Sequence, residues 1–181
     1  MAQANRPPEV KLICGMISAD RELFEEARAA MTRVFGPEDL VSEVMDFDFT
    51  HYYDTEMGSP LYRRFVSFAR RVQPDALVEA KWLTNALECD FATRRGGHPA
   101  RPINLDPGYI ENAKLVLASM KNFSHRVYLG KSVFGEVTLT YHKDGWKGFP
   151  WTFPDFASGR YDPFLLGARE CLRAAGGEAN S

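Results

Sequence analysis

Three short stretches concentrate residues able to do chemistry. The first is DFDFTHYYDTEMG, residues 46–58. In a strand Asp46 and Asp48 share one face, roughly 7 Å apart, while Phe47 and Phe49 turn to the other and enter the core. The loop behind them adds His51, Tyr52, Tyr53, Asp54 and Glu56. Carboxylates beside an imidazole and phenols supply general bases, hydrogen-bond donors and oxygen ligands for a hard cation. Asp48 and Glu56 are therefore candidate catalytic residues and Tyr53 a candidate ligand contact. The plainer alternative is a set of solvated acids, with Asp54 or Ser59 capping the next helix.

The second stretch is NLDPGY, residues 104–109. Asp followed by Pro is a strong helix start, with Asp106 as N-cap and Pro107 at the first helical position. The pattern predicts a helix opening at 106 and an anion pocket at its N-terminus. Asn104, Asp106, Gly108 and Tyr109 are candidate ligand-binding residues, Gly108 because it lets another backbone or a ligand approach. A simple cap would account for Asp106 and Pro107 alone.

The third is a predicted hairpin, strands 125–130 and 133–142. Val133, Val137, Leu139 and Tyr141 share one face; Phe134, Glu136, Thr138, Thr140 and His142 share the other. Arg126 would hold a carboxylate or phosphate bidentately. Glu136, His125 and His142 are the candidate catalytic groups, the histidines as proton carriers. A solvated face with a cross-strand ion pair is the competing reading. GFPWTFPDF (148–156) adds aromatics and prolines suited to a rigid loop over a core edge.

Gly130-Lys131-Ser132 resembles the tail of a phosphate-binding loop. That loop also needs a glycine five residues earlier and a helix immediately after. Here the earlier position is His125, and VFGEVTLTY alternates as a strand. Gly130-Lys131 reads instead as a hairpin turn.

The elements that must position these groups follow from periodicity. VKLICGMIS (10–18) is a continuous apolar run, a central strand. Ser18 or Asp20 can cap a helix whose stripe at 23, 24, 27, 31 and 34 ends at Gly36-Pro37. Residues 40–49 read as a strand. Leu61, Phe65 and Phe68 fit a helical stripe over 60–72, with Arg63, Arg64, Arg70 and Arg71 mostly outward. Residues 75–93 form a long helix, RRGGHPARP (94–102) a mobile basic loop, INL (103–105) a short strand, and about 163–175 a last helix. The fold class is α+β: one domain over 8–176, a mixed β-sheet with helices mainly on one face and outweighing strands, an opening β-α-β unit and a C-terminal hairpin. Residues 1–7 and 177–181 are expected to be flexible.

The 181 residues suffice for one sizeable core, with 45% hydrophobic and 25% charged residues in the ordinary globular range. A net charge of −2 argues against a broad nucleic-acid-binding face, and hence against RNA binding through the arginines of 60–72 and 94–101. No apolar run reaches the roughly 20 residues of a membrane span, and the N-terminus has no signal-peptide core. Three scattered cysteines form neither metal spacing nor disulfide framework; buried thiols in a reducing cytoplasm are expected.

VKLICGMIS, FDFTHYYDTEMG, NLDPGY, SHRVYLG with GEVTL, and WTFPDF, in this order, resemble an uncharacterised prokaryotic family built on a domain of unknown function. The resemblance spans about residues 8–172. It implies a single cytoplasmic domain and assigns no catalytic residues; members are sometimes labelled GTP-binding. Two functions fit the residues. One is an enzyme acting on, or binding, a phosphorylated or nucleotide-like small molecule, with a divalent metal such as Mg held by Asp48, Glu56, Asp106 and Glu136. The other is a binding or assembly module whose aromatic segments 47–68 and 146–156 form a homodimer or partner surface.

Overall fold

The computed structural model describes residues 3–50, 52–97 and 99–177, and the side chains of all of these except 175–177. The expectations for 1–2, His51 and 178–181 lie outside them. Fourteen elements follow in order: β1 (Val10–Ser18), α1 (Glu22–Phe35), β2 (Glu38–Val41), β3 (Met45–Asp46), α2 (Asp54–Met57), β4 (Tyr62–Val72), α3 (Ala76–Arg94), β5 (Asn104–Ile110), β6 (Lys114–Ser119), β7 (Val127–Gly130), β8 (Val133–His142), β9 (Gly145–Gly148), α4 (Pro154–Ala157) and α5 (Asp162–Gly177). Strand slightly exceeds helix, at about 34% against 32% of the chain.

The fold is α+β. One open sheet runs β2-β4-β1-β5-β6-β8-β7, with β3 beside β2 on β4 and β9 on β8. Its ladders are all antiparallel, so the sheet is not mixed. β1 is buried along its whole length, which is why its sequence shows no alternation. Leu12, Cys14 and Met16 face α1 and α3 across Leu23, Phe24, Ala27, Met31, Ala80 and Phe91. Ile13 faces the opposite layer, where Phe65, Leu115, Leu117 and Leu139 meet Phe156 of α4 and Phe164, Leu165 and Ala168 of α5. Helices thus cover both faces of the sheet.

Two predicted helices are strands. Most of the stretch 60–72 is β4 (Tyr62–Val72), and the helix-like spacing of Leu61, Phe65 and Phe68 arises because both faces of the strand are buried: Phe65 enters the α5 layer, Val66 and Phe68 the α1 layer. Its aromatic and β-branched residues suit a pleated surface. The helix expected to open at Asp106 is the antiparallel pair β5–β6, so the predicted N-terminal anion pocket does not exist. Pro107 is tolerated there because β6 reaches β5 only from Gly108 onward.

Gly108 serves that strand approach. A Cβ on it would lie 2.6 Å from the Val116 carbonyl oxygen and from Leu117 Cδ2. The hairpin is present, with its first strand beginning at Val127 rather than 125 and its turn one residue later than expected, at Lys131 (φ 47°) and Ser132 (φ 60°). Trp82 Nε1 donates to the Lys131 carbonyl at 2.9 Å, and the chain continues as β8 with no helix. β8 changes face at an irregularity opposite Leu115–Val116. Val133 and Val137 therefore pack with Leu77 of α3, while Leu139 joins the α5 layer.

Gly108→Ala is expected to lower the unfolding free energy by about 1–3 kcal/mol, read from chemical denaturation, because the β6 backbone must retreat from the added methyl. An unchanged midpoint would show that β5 and β6 are not so closely apposed.

Candidate functional site

Where β6 falls short of β5, the backbone of Leu105 is satisfied by side chains. Its N–H donates to Glu88 Oε1 at 2.6 Å, and its carbonyl accepts from Lys81 Nζ at 3.0 Å. Both side chains come from α3 and are buried. Buried peptide groups without partners cost several kcal/mol, so this end of β5 depends on the two ions.

The ions seed a network. Glu88 Oε2 accepts from Arg101 Nη2 at 3.0 Å. Arg101 also donates to Asn104 Oδ1, and Asn104 Nδ2 donates to Asp106 Oδ2 at 2.6 Å. Around Asp106 stand Lys81 Nζ and Arg63 Nη1, each 3.8 Å away, near enough for attraction and too far for a hydrogen bond. Burial pushes the Glu88 carboxyl above its ordinary value, against the pull of Lys81 and Arg101. Burial and the Asp106 charge push the Tyr53 phenol up, with Arg101 and Arg63 opposing. Asn104 and Asp106, both predicted, therefore meet here, while Tyr53 packs with Phe47 and Tyr52.

Arg63 is the cation at the back of the site. It lies in β4 and is only 3% exposed. Its guanidinium sits over Phe65 (4.7 Å to the ring centroid), Phe156 (5.3 Å), Tyr161 (5.6 Å) and Phe47 (5.8 Å). Such rings stabilise a cation through their faces. Gly15 of β1, across from Phe65, leaves the room: a Cβ there would be 2.7 Å from Arg63 Nη2. Arg63 Nε finds no acceptor among the described residues. The nearby Asp155 is engaged by Tyr161, whose hydroxyl donates to Oδ2 at 3.1 Å. The site opens to solvent at Asp106, whose side chain is 29% exposed, and at Arg101.

The third predicted stretch forms a second cluster. Glu136, buried in β8, accepts from Arg126 Nε at 2.7 Å, and His125 Nε2 lies 3.1 Å from the same Oε2. Arg126 Nη1 also donates to Ser119 Oγ and the Lys121 carbonyl, both at 2.9 Å. The polar face expected to be solvated is thus partly buried, with Thr138 fully enclosed. β7 covers β8 up to Gly135 and β9 from Leu139. The gap between is closed by 148–156: Trp151 Nε1 donates to the Val137 carbonyl (3.1 Å) and Thr152 Oγ1 to that of Thr138 (2.6 Å). Trp151 stacks on both His125 and Phe149. The two clusters are joined along the surface, since Lys121 Nζ approaches the Tyr52 hydroxyl at 3.5 Å and Tyr52 packs against Tyr53.

The remaining candidates lie apart. Asp48 is exposed and bound by Arg160 Nη1 at 2.7 Å, which holds its carboxyl below the ordinary range. Glu56 has an exposed side chain; its carbonyl accepts from the Arg101 N–H. His142 is exposed beside Thr140 Oγ1. Tyr109 packs with Val116 and Leu77. Asp48, Glu56, Asp106 and Glu136 do not gather: among the described residues no group of three or more His, Cys, Asp or Glu is arranged to hold a metal ion. Arg94 and Arg95, expected in a mobile basic loop, are engaged by Asp90, Asp20 and Glu26. Cys89 is exposed rather than buried.

Sequence reasoning missed Arg63, Lys81, Glu88 and Arg101. Reading β4 as a helix turned Arg63 outward. Lys81 and Glu88 lie seven apart, two turns of one helix face, and that spacing inside an apolar helix was the available signal.

Glu88→Ala is expected to cost at least about 3 kcal/mol, because it strands the Leu105 N–H and Arg101 together. Thermal unfolding should show it. The folded Glu88 carboxyl holds its proton more tightly than the unfolded one. Its contribution to stability should therefore be fullest below the ordinary carboxyl value and decline as pH rises through the raised value. A stability difference from Glu88→Ala that grows across this window would contradict the assignment.

No helix among the described residues is long and apolar enough to cross a membrane. Searches of curated proteins and of solved structures returned no match. A family model described as domain of unknown function DUF4416 matches residues 8–171, nearly the whole of the folded chain and all of both clusters. The chain is a member of the DUF4416 family.

Proposed function

We propose that the protein binds a small anionic molecule, carrying a phosphate or carboxylate group, at the end of β5. The observation that supports this is Arg63. It is a permanently charged group, nearly sealed from water, and among the described residues its nearest carboxylate is 3.8 Å away and its Nε–H has no acceptor. Buried charges in proteins are normally paired and hydrogen-bonded. Three cations, Arg63, Lys81 and Arg101, share the two carboxylates Asp106 and Glu88 within the network. A bound anion would supply the missing acceptor.

Inorganic phosphate and pyrophosphate, titrated against wild type and Arg63→Lys by calorimetry, test this. Wild type should bind, and Arg63→Lys at least about tenfold more weakly, since the planar donor fork is lost. At a hundred times the dissociation constant the ligand should add about 2.7 kcal/mol to wild-type stability. Equal affinities, or no binding of phosphate, pyrophosphate or simple carboxylates, would remove the proposal.

A second reading has its own observation. β7 ends the sheet, and Val127, Tyr128 and Leu129 are 68%, 60% and 42% exposed. An apolar edge strand is a template for pairing with another chain. The surface expected over 47–68 is instead largely core, since Phe47, Leu61, Phe65 and Phe68 are buried. If two copies join through β7, wild type should sediment as a dimer and Leu129→Lys as a monomer. A wild-type monomer at every concentration would eliminate this seam.

A further inference from the structure

Arg63 and Asp106 together restrict what the anion can be. Among the described residues Asp106 receives one side-chain hydrogen bond, from Asn104, while both Arg63 Nη1 and Lys81 Nζ stand back at 3.8 Å. A carboxylate has acceptor positions for about four donors. Asp106 therefore keeps open acceptor capacity where it meets solvent, beside a guanidinium that keeps an open donor. An anion that takes the Arg63 Nη1 donor, the nitrogen facing Asp106 at 3.8 Å, comes to rest beside the Asp106 charge. A bare anion would be repelled there, as like charges in a shared site are. The repulsion is offset only if the ligand also presents Asp106 with a hydrogen.

We infer that the ligand is an anion carrying an N–H or O–H donor on the adjacent carbon: the chemistry of an α-amino or α-hydroxy acid. The anionic group takes the Arg63 donors, and the neighbouring amine or hydroxyl donates to Asp106. The spacing of 3.8 Å between Nη1 and Oδ2 suits two roughly parallel hydrogen bonds of about 2.9 Å to neighbouring ligand atoms. Gly15 and Asn104 complete the arrangement, one by leaving room beside the guanidinium and the other by fixing the carboxylate. This inference rests on the anion-binding reading and adds to it the role of Asp106 as specificity determinant.

The test uses the full chain and four small probes. Acetate and trimethylglycine carry the carboxylate without a donor; glycolate adds a hydroxyl and glycine an ammonium. Affinities are read from titration of the Arg63 Nε–H resonance. In wild type, glycolate or glycine should bind about tenfold or more tightly than its donor-free counterpart, the worth of one charge-assisted hydrogen bond. Which of the two leads identifies a hydroxy or an amino acid. Asp106→Asn should abolish that preference while acetate still binds. If acetate and trimethylglycine bind as tightly as glycolate and glycine, the inference falls and the anion site stands. If no probe and no phosphate moves the Arg63 resonance, the anion site itself falls. The wild-type comparison decides even where Asp106→Asn fails to fold.

Discussion

The structure turns on a strand that lacks a neighbour. β6 pairs with β5 only at Gly108–Ile110, so Asn104–Pro107 must complete their hydrogen bonding without a strand on that side. The solution is ionic: Lys81 and Glu88 reach from α3 to the Leu105 backbone. A neutral helix face would leave peptide groups bare in the interior, where each is expensive. Once a lysine and a glutamate are buried they need partners of their own, and Arg101, Asn104 and Asp106 supply them. The polar network is thus a consequence of strand register before it is anything else.

The same register explains why the network is open to a ligand. With β6 diverging toward β8, Asp106 keeps contact with solvent while Arg63, one strand beyond β1, is sealed under Phe65, Phe156 and Tyr161. A buried cation at the back and a half-exposed carboxylate at the mouth give the site a polarity from inside to outside. The His125–Glu136–Arg126 cluster is built differently. Its carboxylate already holds a cation at hydrogen-bonding distance, and the Trp151 loop closes over it.

How much of this was legible in the sequence depended on burial. β1 and the hairpin were readable because a continuous apolar run and a clean alternation each have one common structural meaning. The stripe of α1 and the length of α3 were equally plain. β4 failed because a strand buried on both faces can space its aromatics like a helix. β5 failed because Asp106-Pro107 has a strong local preference for a helix start, and the bare side of the strand removed the usual objection to proline. Asn104 and Asp106 were singled out for the wrong local reason. Arg63 could not be found, since its burial depends on Gly15 and on rings more than ninety residues away in the chain.

The placement of β1 at the centre of the sheet bears on how the chain acquires its structure. Cys14 pairs with Val66 on one side and Pro107 on the other, partners 52 and 93 positions downstream. During synthesis this apolar segment emerges before either partner, and about ninety more residues must follow before both its flanks are occupied. At ribosomal speeds of about 5–20 residues per second, VKLICGMIS spends several seconds as an incomplete template. The nascent chain is then the stage most exposed to misassembly, and the one at which a chaperone has most to protect.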